Sequence, residues 1–185
     1  LGELAQRLPQ GTELVDAPMS GAPVAAREAR LTFMVGGEDA VVNELRPLFE
    51  AMGNAIHHLG GLGAGMTVKV VNNFVAASSV VAVRHALAAA LALGIAPDRL
   101  TQVMAQSSGA TWFGDNLDAI DWAGEGYDPE NTIGILEKDV NSFLDALRNL
   151  PEFEDGEPAE TVIANLRKLS PTAGPLTRTT RTGKP

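Results

Sequence analysis

The chain has 185 residues, 45% of them hydrophobic and 20% charged, enough to bury a core and form one domain or one and a half. Its formal net charge of −9 argues against a nucleic-acid partner. With no cysteine, disulfides and thiolate metal sites are excluded, and the three histidines, His57, His58 and His85, do not make a metal-ligand pattern, so no metal is expected.

In chain order, residues 3–8 read as the end of a helix closed by Pro9 and Gly11. Residues 13–17 read as a short strand, and 18–26 as an irregular loop containing Ser20-Gly21-Ala22-Pro23. Such a loop can offer a hydroxyl and bare backbone N–H groups to an anion, or be a plain surface turn. Residues 31–35 form a second strand that stops at Gly36-Gly37. Residues 38–52 form an amphipathic helix, with Val41, Val42, Leu45, Leu48 and Phe49 on one side. A third strand over 55–59 would point His57 and His58 to opposite sides. Strand, helix and strand in this order suggest the closing part of an α/β sheet.

The turn that follows carries Gly60, Gly61, Gly63 and Gly65. A dinucleotide fingerprint needs G-x-G-x-x-G, and from Gly61 and Gly63 the third position is Met66, so the spacing fails. The turn reads instead as a close-packed entry to a helix over residues 66–93, about 40 Å long. Lys69 lies one turn in, and Asn73 four residues further along the same face. From Val70 to Leu93 the only formal charge is Arg84. A lysine in so apolar a helix is either a proton carrier or a side chain that snorkels to the surface. The helix needs partners on several sides, which points to burial against a second subunit and a homodimer or homotetramer. Asn72, Asn73, Ser78, Ser79, Arg84 and His85 interrupt it, so it reads as a core helix and not a membrane span, and no signal peptide is visible. A soluble, cytoplasmic protein is expected.

Gly94 is the expected C′ stop and Pro97 the first residue of the next helix, over 97–106. Further helices are expected over 112–120 and 132–150, the last with Lys138-Asp139 near its middle, a solvated charge pair or part of a site. Beyond residue 150 the pattern decays: 151–160 is acidic and turn-rich, 161–169 could form one short helix, and 170–185 reads as disordered. The chain opens with Leu1 inside a helix-like run and reads as a piece of a longer polypeptide.

Several segments together resemble one family. Val15-Asp16-Ala17-Pro18-Met19-Ser20-Gly21, Leu31-Thr32-Phe33-Met34-Val35-Gly36-Gly37, Gly63-x-Gly65-x-x-x-Lys69-x-x-x-Asn73, Ser107-Ser108-Gly109 and Lys138-Asp139 occur in the order and spacing of β-hydroxyacid dehydrogenases. This group includes 3-hydroxyisobutyrate dehydrogenase and 2-hydroxy-3-oxopropionate reductase. The resemblance covers about residues 1–150.

It implies the end of a Rossmann domain over residues 1–61, then an all-α domain of the 6-phosphogluconate dehydrogenase C-terminal type over 62–150, entered by a long interdomain helix, then an atypical tail over 151–185. It implies NAD or NADP as cofactor and a small hydroxyacid as substrate. Lys69 stands at the position of the family's proton donor or acceptor. Asn73 would orient substrate and lysine, Ser20, Gly21 and Ala22 would hold the substrate carboxylate, and Lys138 and Gly65 would approach the cofactor. Departures are His85, preceded by Arg84, where a glutamate is usual before Ala86-Leu87, pointing to a changed substrate pocket or interface; Met19 where valine is common; and a tail without the usual final helix. The alternative is a catalytically silent dimerisation or binding module that keeps the helical domain. An imine reductase on the same architecture is disfavoured, because those relatives generally lack the lysine.

Overall fold

The computed structural model describes residues 2–153, 156–172 and 176. The chain divides into two compact units, Leu1–Asn72 and Asn73–Pro185.

The first unit holds α1 (Gly2–Arg7), β1 (Met19–Ser20), α2 (Ala22–Arg27), β2 (Leu31–Val35), α3 (Asp39–Glu50) and β3 (Gly53–His58), and ends in the opening turns of a long helix α4 (Ala64–Ala92). The three strands form one sheet in the order β1-β2-β3. β2 is apolar or β-branched throughout, and Leu31, Phe33, Met34 and Val35 are all buried, the pattern of a strand covered on both faces. β3 runs parallel to it, pairing Val35 with His58, and α3 is the crossover between them. Val42 and Phe49 of α3 are buried in the same core cluster as Phe33, whose ring centroid lies 5.1 Å from that of Phe49.

Two expected features of this unit differ. Residues 13–17 do not form a strand. Asp16 makes a single bridge to Gly36, Pro18 accepts from the Met34 N–H at 2.9 Å, and only Met19 and Ser20 pair as strand, antiparallel to Phe33 and Thr32. The segment runs along β2, but Pro18 has no N–H to continue the ladder. The expected irregular loop, in turn, contains α2, which buries Ala25.

The second unit holds the rest of α4, α5 (Pro97–Met104), α6 (Trp112–Asp115), a 3-10 turn (Leu117–Ala119), α7 (Thr132–Leu147) and α8 (Glu157–Leu166). Ala77, Val80, Val83 and Leu87 of α4 recur at helical spacing and are buried with Phe113, Ile133, Val140, Ile163 and Leu166. α4 stops at Gly94, φ +79°, with the Ile95 N–H donating to Ala90 O at 2.8 Å. Pro97 opens α5, and Asn131 caps α7 by accepting from the N–H groups of Ile133 and Gly134 at 2.9 and 3.2 Å.

α4 is long and apolar enough to cross a membrane by length and composition, yet one face lies in this core, and Arg84, one of its two charged residues, is buried and hydrogen-bonded within the unit. The partners expected on several sides of α4 are supplied only in part by the described residues. Val71 and Val75 are 45% and 62% exposed, and Leu91 is exposed too.

The residues after 150 do not simply decay. α8 buries Ala159, Ile163 and Leu166 in the common core, and the residues after it stay pinned: the Tyr127 N–H donates to Leu169 O at 2.8 Å and the Thr172 N–H to Gly124 O at 2.9 Å. The short helix expected over 161–169 begins earlier, at Glu157, because an acidic, polar lead-in precedes its first buried apolar position, Ala159. Expected disorder at 173–175 and 177–185 falls outside the described residues.

α7 and α8 are also clasped by charge. Arg167 Nη2 donates to Glu137 Oε1 at 2.5 Å. That hydrogen bond, followed by one from Tyr127, holds the Glu137 carboxyl below its ordinary value, while the bond to Glu137 raises Tyr127. A carboxyl lowered by folding stabilises above its unfolded pKa, and that contribution disappears as pH falls through the lower folded value. Arg167→Met should therefore move acid unfolding, followed by far-UV circular dichroism, to higher pH. An unmoved acid limb would mean the clasp contributes nothing.

Candidate functional site

The glycine-rich turn before α4 is closed by a residue far away in sequence. Asp16 is 5% exposed, and its two carboxylate oxygens each accept a backbone N–H, Oδ1 from Gly63 and Oδ2 from Met66, both at 2.6 Å. These are donors that the first turn of a helix leaves without intrahelical partners, so Asp16 is an N-cap supplied from 47 residues upstream. The Asp16 backbone meanwhile pairs both ways with Gly36, at 2.9 and 2.8 Å. The glycines fit the same contact: a Cβ on Gly65 would overlap Met34 O and lie 2.8 Å from Asp16 Oδ2, and one on Gly36 would meet Asp16, Gly61 and Ala64. The N–H groups of Gly63 and Met66, the kind of donors a helix N-terminus offers to an anion, are engaged here by a carboxylate of the chain itself. Gly65 is buried and packs against Met34 O of β2.

Lys69 follows one turn later, half-buried. Ser20 is half-buried at the end of β1, and Gly21, φ +133°, makes the bend into α2, which Ala22 begins. A side chain on Gly21 would strike Ala25, so the bend requires glycine on both counts. The first unit thus carries Ser20, Gly21, Ala22, Gly65 and Lys69, and the second carries Asn73 and Lys138. Lys69 and Asn73 are linked by one turn of the same continuous helix.

Asn73 is not a loose surface amide. Its Nδ2 donates to Asp139 Oδ2 at 2.8 Å, tying α4 to α7, while Phe74 stacks on Phe143 at 4.4 Å between centroids. An amide held by its nitrogen keeps its oxygen for other donors. Of the Lys138-Asp139 pair, Lys138 is exposed and Asp139 is the partner of Asn73. Asp16 and Asp139 are the two residues whose roles sequence reasoning missed. Asp16 lies within a quoted motif, but nothing in a one-dimensional pattern shows that its carboxylate reaches the N–H groups of residues 63 and 66. His85 is exposed, and Arg84 is 6% exposed with its guanidinium on three main-chain carbonyls of its own unit. Arg84 is thus a structural clamp, while His85, where the departure itself lies, makes no part of it.

A cavity of about 730 Å³ in the second unit is lined by Leu117, Tyr127, Asn131 and Pro171 among others and contains none of the residues expected to bind substrate or cofactor.

Residues 63–152 match the family model described as NAD-binding of NADP-dependent 3-hydroxyisobutyrate dehydrogenase, and residues 3–61 match that of the NAD binding domain of 6-phosphogluconate dehydrogenase. The chain is 42% identical over 103 residues to an NAD-dependent L-serine dehydrogenase of Pseudomonas aeruginosa, covering 56% of this chain and 35% of that protein. It is 43% identical over 94 residues to 2-hydroxy-3-oxopropionate reductase of Escherichia coli, covering 51% and 32%. Among solved structures it resembles 3-hydroxyisobutyrate dehydrogenase of Mycobacterium tuberculosis with L-serine, with TM-score 0.69 and 28% identity over 83% of this chain and 54% of that one. The matches span about a third of the curated relatives' length and just over half of the solved chain's. The architecture, a small sheet followed by a long helix and a helical domain, is that of these dehydrogenases.

Proposed function

We infer that this chain, a member of the β-hydroxyacid dehydrogenase family, supplies the substrate-binding and proton-transfer part of an NAD(P)-dependent oxidoreductase acting on a short-chain 3-hydroxyacid or its semialdehyde. The observation that carries this reading is a lysine and an anchored asparagine, Lys69 and Asn73, four residues apart on a predominantly apolar helix.

In oxidation, Lys69 accepts the proton of the substrate hydroxyl; in reduction it returns that proton to the carbonyl oxygen. Asn73, its amide nitrogen held by Asp139, presents its oxygen to the lysine and the substrate hydroxyl. Ser20, Gly21 and Ala22 receive the substrate carboxylate through the hydroxyl and backbone N–H groups at the bend. The nicotinamide, when bound, supplies the hydride acceptor or donor. The described residues fit this group only in part: Lys138 is exposed and free to approach a phosphate or ribose, but the one glycine-rich turn is closed by Asp16. Pyrophosphate binding is therefore not assigned to this turn.

Residues 1–61 are proposed as the closing part of the Rossmann domain and 62–150 as the substrate and dimerisation domain, in a cytoplasmic homodimer or homotetramer. The apolar side chains left exposed on α4 favour such an assembly.

The test is turnover by the full-length protein of 3-hydroxyisobutyrate, L-serine and tartronate semialdehyde with NAD and with NADP, followed by nicotinamide absorbance. Activity with at least one hydroxyacid is expected. If no pair gives turnover, the silent binding module takes this reading's place.

A further inference from the structure

We propose that Asp16 is a positioning residue for catalysis, setting the height and rotation of Lys69 relative to the Ser20-Gly21 bend; this rests on the role given to Lys69 above. Three segments of the first unit must agree for that chemistry: the strand leading to Ser20, the end of β2, and the first turn of α4. Asp16 joins all three. Its backbone is paired with Gly36 at the end of β2, its carboxylate holds the Gly63 and Met66 N–H groups at 2.6 Å, and Ser20 is the fourth residue after it on a segment fixed to β2 by Pro18, Met19 and Ser20.

The fixation is two-point. A single capping bond would leave α4 free to rotate about it, whereas two oxygens on two N–H groups three residues apart determine both where the helix begins and which way its first turn faces. Met66 is itself three residues before Lys69, so the side chain of Lys69 stands on the helical face that the carboxylate fixes. The glycines leave little slack, since Gly65 and Gly36 both bring backbone into contact with this carboxylate. Proton transfer depends steeply on geometry, and an error of about 1 Å from a substitution distant from the reacting atoms can cost about a hundredfold. With both carboxylate oxygens taken up by the helix, Asp16 acts through Lys69.

A double-mutant cycle on the full-length protein separates positioning from mere stability. Asp16→Asn keeps the shape but turns an N–H donor toward one of the two helix N–H groups. It should lower kcat by about tenfold or more with the cofactor KM unchanged, per site counted by cofactor binding. In a Lys69→Ala background the same change should cost less than about twofold, because there is no lysine left to misplace. If the two losses multiply, or if Asp16→Asn alone leaves kcat unchanged, the proposal is overturned while the lysine mechanism stands. If Lys69→Ala itself leaves turnover intact, it is the mechanism that fails. Should Asp16→Asn not fold, Asp16→Glu, which keeps the charge and lengthens the arm by one methylene, carries the cycle with the same outcomes.

Discussion

Lys69→Ala should lower kcat of the full-length protein by about 10²- to 10⁴-fold, the range that loss of a positioned acid–base group produces, while the cofactor KM changes little. The group removed carries the proton in both directions, and its loss affects the transition state more than the ground state. The helix itself should survive. Lys69 is only half-buried, alanine is the better helix former, and the first turn is held by Asp16 through backbone N–H groups that the substitution does not touch. Melting temperature should stay within a few degrees, so that lost activity reflects lost chemistry. Lys69→Arg sharpens the test. It keeps charge and reach, but a guanidinium does not give up its proton, so arginine should fail nearly as badly as alanine. Turnover unchanged in either variant would remove the proton relay from the mechanism.

How far the sequence goes toward this site depends on the range of the interaction. The Lys69 to Asn73 spacing is local, fixed by helical geometry, and can be read directly, as can Gly94 and Pro97 at the ends of α4 and α5. β2 is equally plain because it is apolar or β-branched throughout. The contacts that give the motif its precision are non-local. Asp16 reaches across 47 and 50 residues, and Asp139 reaches Asn73 across 66. A carboxylate with such a partner looks in one dimension like any solvated acid, which is how Lys138-Asp139 reads as a surface pair. The glycine turn is the reverse case. Its composition suggests a ligand, and what approaches closely is the protein's own backbone, Met34 O against Gly65. α8 is read only as a short helix starting at 161, for a third reason: its first turn is polar, and its few apolar positions have meaning only once α7 is beside them.

The same distinction governs Arg84, for which the structure predicts the largest effect on stability. It is 6% exposed; Nη1 donates to Ala123 O and Glu125 O, both at 2.8 Å, and Nη2 donates to Ser170 O at 2.7 Å. Among the described residues no carboxylate forms an ion pair with it. Burial lowers the guanidinium from its ordinary value, yet arginine keeps its proton, and a buried charge of this kind is tolerable only while its donors are satisfied. One side chain on α4 therefore closes both the turn after residue 122 and the segment that follows α8. Arg84→Met keeps most of the apolar stem and leaves three carbonyls without their donor. At about 1–3 kcal/mol for each buried group left unpaired, less whatever water recovers, the loss should be on the order of 3–5 kcal/mol. That corresponds to a fall in melting temperature of roughly 10–20 °C. Both tryptophans, Trp112 and Trp122, belong to the second unit, so their fluorescence reports its unfolding alone. Arg84→Lys, with three donors on one shorter-reaching nitrogen, should fall between the two. Limited proteolysis of the Met variant should cut first near Ser170, where the clamp is released. A methionine variant that melts within a few degrees of the parent would show that the three carbonyls find water at no cost, and that the arginine is dispensable to the fold.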